Sequence, residues 1–135
     1  MKPSAAVPIV SHSLVALALL YFAASLAHFA HNAEFIAFYP GLPSAITRET
    51  VYLAWMFITG FGALAIALFR FKLNALAWVA LAVYGAFGLD GLLHYTMALC
   101  SEHTLWANVT IWSEASLGLL LFLASTVYFT RQLRR

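Results

Sequence analysis

The chain has 135 residues, of which 64% are hydrophobic, 16% aromatic and only 9% charged, with a mean hydropathy of +0.88. Soluble domains carry roughly a quarter charged residues, and a chain this short cannot bury so much apolar surface in its own interior, so its solvent is lipid. Seven Lys+Arg against five Asp+Glu give a formal charge of +2 with no basic stripe, which excludes a nucleic-acid partner, and the single Cys100 excludes a disulfide framework.

A membrane-spanning helix needs about 20 mostly apolar residues. Four such runs are present: Ile9 to about Phe38, Thr50 to Phe69, Ala75 to Leu99, and Leu105 to Phe129. The first also has the look of a secretory signal peptide, with Lys2, an apolar stretch and small residues from Ala23 to Ala27; we read it as a retained span. Tyr39-Pro40-Gly41-Leu42-Pro43, Phe71-Lys72-Leu73-Asn74 and Cys100-Ser101-Glu102-His103-Thr104 have turn chemistry and separate the runs. Thr47 and Thr104 are suited to cap the helices that follow them. The expected fold is all-α: one domain, a polytopic four-helix transmembrane bundle.

Cations set the expected orientation. Lys2, Arg70, Lys72, Arg131, Arg134 and Arg135 share the side of the two termini, whereas Arg48 alone falls opposite. The positive-inside bias then makes both termini cytoplasmic, in the cell's inner (plasma) membrane.

Acidic residues, and every histidine except His12, fall in the outer half of the runs. At ~1.5 Å per residue, Asp90 lies roughly 13 Å below the outer end of the third span and Glu114 roughly 15 Å below the outer start of the fourth, with His28 at a comparable depth. His31 and Glu34 follow His28 at three-residue steps, and His94 lies one turn above Asp90, so a polar funnel opening outward is expected. Asn108 and Thr110 approach it from the fourth span, and Tyr52, Trp55 and Thr59 from the second. Ionisable groups at membrane depth are costly and usually face a cavity, a partner or a pathway. The bland alternative is a hydrogen-bond network that locks the helices together.

His28-x-x-His31-x-x-Glu34 and Asp90-x-x-x-His94, with Glu114, supply imidazole and carboxylate donors suited to iron, copper or zinc. The leading expectation is therefore that His28, His31, Glu34, Asp90, His94 and Glu114 bind transition metal for redox chemistry on a lipophilic or small substrate. The second expectation is metal-free: Asp90 and Glu114 exchange protons with a sterol-, quinone- or terpene-like lipid as the acid and base of an isomerase or cyclase, with His28 or His94 assisting. In that case Trp55, Tyr84 and Trp112 would line the cavity, although such residues commonly form the interfacial belt. A third class is non-catalytic, a ligand carrier or a subunit of a larger membrane complex; a homo-oligomer is also left open. Gly60, Gly62, Gly85, Gly88 and Gly91 mark close helix approach, the last two with room beside Asp90 for a ligand. Arg48-Glu49 reads as an interfacial pair.

Ala27-His28-Phe29, Tyr39-Pro40-Gly41-Leu42-Pro43 and Thr59-Gly60-Phe61-Gly62 together resemble the DoxX-like group of small membrane proteins, over about the first half of the chain. That resemblance implies a four-helix fold and association with quinone or thiol redox systems. By architecture and buried acids alone, the chain is also similar to the EXPERA type of sterol isomerase and ligand-binding bundle.

Overall fold

The structure, a computed structural model, describes residues 10–134; Lys2, the first residue of the expected first run and Arg135 lie outside them. Four helices are long and apolar enough to cross a membrane: α1 (His12–Glu34), α2 (Arg48–Arg70), α3 (Asn74–Met97) and α4 (Leu105–Leu133). Among the described residues there is no strand, and the only other helical pieces are short 3-10 turns at Ile36–Phe38 and Cys100–Glu102.

Local chemistry fixes where each helix starts. The Ser11 side chain accepts from the Leu14 N–H at 3.2 Å, and Thr104 accepts from Ala107 at the same distance. Thr47 and Thr50 cap each other's backbone N–H groups in a reciprocal box. These bonds satisfy donors that a helix start leaves open, which matters most where lipid offers no substitute. The first helix ends at Glu34, four residues before the expected Phe38. The chain there tightens into its 3-10 turn and reverses through Pro40 and Gly41, the latter at φ +76°. At the far end α4 runs on to Leu133, past the expected Phe129.

The third span is not wound uniformly. It is α-helical from Asn74 to Ala86, 3-10 from Phe87 to Leu93, and α-helical again over His94–Met97. Gly85, Gly88 and Gly91 weaken the α-helical preference of this stretch. With three residues per turn, Gly88, Gly91 and His94 fall in one row, and all three are buried.

Helix α4 packs on α3 and α1, and α2 packs on α3 and α1 from the other side. The tightest crossing is between α3 and α4. A Cβ on Gly88 would come within 2.8 Å of the Gly118 Cα, and one on Gly118 within 2.6 Å of the Gly85 carbonyl oxygen. Lipid tails are as apolar as leucine, so such close backbone contact, rather than a hydrophobic drive, holds the helices together. At the end carrying the α2–α3 turn, Trp78 stacks on Tyr128 with ring centres 4.8 Å apart, and Phe69 meets Trp78 edge-on at 4.7 Å. The Tyr128 hydroxyl donates to Ser11, tying the start of α1 to α4.

Candidate functional site

The opposite end of the bundle gathers the polar side chains. Glu114 on α4 is completely buried, and its Oε2 lies 3.7 Å from Nε2 of His28 on α1, itself 2% exposed. Hydrogen bonding fixes the arrangement of this pair. The Thr110 hydroxyl donates to the Ala107 carbonyl at 3.0 Å, so towards His28 Nδ1, 3.4 Å away, it can only accept. Nδ1 therefore carries its proton, and Nε2 presents a lone pair to Glu114. A carboxylic acid facing a neutral imidazole leaves the buried pair without net charge, which is the inexpensive state in an apolar interior.

Gly91 is the element of α3 that faces this pair. A Cβ there would sit 3.4 Å from Glu114 Oε2 and 3.5 Å from His28 Nε2. Its missing side chain leaves the pair open on the α3 side. Beyond it lies a hollow of about 260 Å³ between α1, α2 and the upper part of α3, walled by His28, Asn32, Asp90, Gly91 and His94 with Val51, Met97 and other apolar side chains. Asp90 Oδ1 is buried there without a hydrogen-bond partner, as are Nδ1 of His94 and both carboxyl oxygens of Glu114. His94 is held by the Asn32 amide, which donates to its Nε2 at 3.3 Å, and its ring centre is 5.5 Å from that of His28.

Of the six expected metal ligands, the structure brings His28, Asp90, His94 and Glu114 to one level. It takes Glu34 away. The Glu34 carboxylate is 45% exposed and accepts from Arg48 at 2.7 and 2.9 Å and from Tyr52 at 2.8 Å, so Arg48 pairs with Glu34 rather than serving as the expected partner of Glu49. The reason is angular: six residues at ~100° turn Glu34 about 120° away from His28, towards the start of α2. His31 is also diverted, its Nδ1 hydrogen-bonded to the Tyr39 hydroxyl at 2.8 Å. Among the described residues no three His, Cys, Asp or Glu side chains are grouped so as to hold a metal ion.

Sequence reasoning missed three residues that shape this end. Tyr39, folded back by the Pro40-Gly41 turn, is 4% exposed, and its ring lies between His31 and His94, with centres 5.7 and 4.9 Å away. Burial pushes its phenol up to about 12, so it remains a proton donor, and Thr110 is a further neighbour of its hydroxyl. Asn32 and His103 also turn inward, His103 donating from Nδ1 to the Leu99 carbonyl. Periodicity cannot expose a loop tyrosine, but an aromatic immediately before Pro-Gly at the mouth of a polar funnel was an available signal. Asn108, expected at the site, instead tethers the loop by donating to the Cys100 carbonyl and accepting from Tyr95. Trp112 lies exposed on the outside of α4, as a belt residue would, and Tyr84 is buried lower down.

Compared with known proteins, the chain matches no family model, no curated protein and no solved structure.

Proposed function

We propose that this is a multi-pass membrane protein whose polar end forms an acid–base site for a lipophilic substrate, an isomerase or cyclase in reaction class. The observation that carries the reading is the hollow beside Gly91. It has a carboxyl with an unpartnered oxygen on its wall and the buried His28–Glu114 pair behind it, and it lies between α1 and α2 where a molecule dissolved in lipid can arrive.

Such a site works by moving protons. Ionised Asp90 takes a proton from the carbon between a carbonyl and a double bond, the electron pair delocalises onto the carbonyl oxygen as the double bond moves into conjugation, and His94, or Glu114 through His28, returns a proton at the far carbon. The proton left on Asp90 replaces the one delivered, so the reaction balances without a co-reactant. Tyr39, Thr110 and His31 link the buried pair to the loop end, a path by which the site can regain its resting protonation. Arg70, Lys72, Arg131 and Arg134 at the other end support an inner-membrane location with that end cytoplasmic.

The test is exchange. Detergent-purified protein incubated in deuterium oxide with total membrane lipid should place deuterium on a carbon of one lipid species, read by mass spectrometry, and Asp90→Asn should abolish it. Absence of exchange in any lipid sinks the proposal. Near-stoichiometric iron, copper or zinc in the same preparation, lost on His94→Ala, would replace it with a metal-based reading.

A further inference from the structure

A second hollow, of about 230 Å³, lies lower in the bundle along the same α1–α2 seam, lined by Leu19, Phe22, Thr59, Gly62, Ala63 and Tyr84 among others. On both helices its residues continue the face that lines the upper hollow: Phe22 precedes Phe29 by two turns, and Thr59 follows Val51 by just over two. Between the two hollows stand Phe22 and Trp55, ring centres 5.7 Å apart and tilted. This seam is not simply a lipid-facing surface. Tyr84 is only 3% exposed and its hydroxyl faces that of Thr59, while the Trp55 indole N–H is buried without a partner. A buried donor without an acceptor is costly in a membrane, and the indole N–H together with the proton left over from the facing hydroxyls points to an occupant.

We infer that the seam binds one neutral single-chain lipid, its uncharged oxygen-bearing head at Asp90 and His94 in the upper hollow and its chain running past Phe22 and Trp55 into the lower one. This rests on the upper hollow being the ligand site proposed above. The head is uncharged because an anion would meet Asp90 with no Lys or Arg in the upper hollow to offset it, while a cation would leave the Nδ1–H of His94 without an acceptor. The occupant is a flexible chain because it must pass an aromatic pair, which a rigid fused-ring body cannot do without displacing it. Tyr84 and Thr59 lie roughly 10 Å below Asp90, at ~1.5 to 2.0 Å per residue along α3, and would hold an oxygen function carried on the chain. The chemical class is therefore a long-chain alcohol, aldehyde or ketone, not a phospholipid, a fatty acid or a compact ring system.

The test uses hexadecanol, hexanol and hexadecanoate as probes on the purified full-length protein, with a hexadecanol analogue carrying a photoreactive diazirine in its tail. Labelling should map to Leu19 and Ala63 and their neighbours, and hexadecanol but not hexadecanoate should compete it out. Ala63 is exposed on the rim of the lower hollow, so Ala63→Trp fills that hollow without disturbing the core. It should weaken hexadecanol binding by about tenfold or more, the equivalent of two buried methylene groups, and leave hexanol binding unchanged. If hexanol binds and Ala63→Trp leaves hexadecanol binding intact, the groove is wrong while the upper site stands. If hexadecanoate competes as well as the alcohol, the neutral head is wrong. If neither alcohol binds, the upper hollow does not take such ligands and the inference falls with it.

Discussion

The two ends of the bundle solve the same problem in opposite ways. At the end holding the α2–α3 turn, Phe69, Trp78 and Tyr128 fill the space with stacked and edge-on rings, and the Tyr128 hydroxyl has its partner on Ser11. At the other end the helices leave a hollow, and Asp90, His94 and Glu114 keep polar atoms without partners. Close packing maximises dispersion contacts and is the cheaper arrangement. An end that forgoes it is the place to test for function, since buried polar groups without partners call for an explanation.

This contrast can be broken by substitution. The largest effect should come at the crossing that joins the two ends. Gly118→Leu drives a side chain into the α3 backbone and should cost more than about 3 kcal/mol, leaving aggregated protein on size-exclusion chromatography. Trp78→Ala comes next and should lower stability by about 3 kcal/mol in a denaturation titration, with the turnover of the remaining folded protein intact. Glu114→Gln should do the reverse, reducing exchange by about 100-fold or more while the melting temperature holds or rises, because the amide keeps the shape but cannot pass a proton. A melting temperature that falls steeply for Glu114→Gln would make the pair a structural lock and erase the distinction between the ends.

Finer substitutions sharpen the comparison. Gly91→Ala places a methyl at ordinary contact distance from both members of the buried pair, so it should leave the melting temperature unchanged while cutting exchange by about tenfold through obstruction. Glu34→Ala should change neither, since the exposed bond to Arg48 lies outside the hollow. A loss of exchange in Glu34→Ala would return that carboxylate to the site.

The four spans and two of the caps were legible in the sequence because hydropathy and the Thr47 and Thr104 signals are local. So was the common depth of His28, Asp90 and Glu114, with His94 one turn higher, since depth along a helix can be counted. The angular positions of His31 and Glu34 were harder. Two steps of three residues keep a side chain near its starting face only roughly, and the helix ends at Glu34, where Arg48 and Tyr52 stand ready to bond it. The winding of α3 was not legible beyond its run of glycines, because the choice between three and 3.6 residues per turn depends on how closely α4 approaches.

That tighter winding has a geometric corollary. Seven residues at ~2.0 Å rather than ~1.5 Å make the segment roughly 3.5 Å longer and turn its upper end by roughly 140° relative to an α-helix of the same sequence. His94 thus owes both its height and its bearing to the pitch of the seven residues beneath it, and relaxing that coil would unscrew the imidazole from its seat against Asn32 without altering a single side chain.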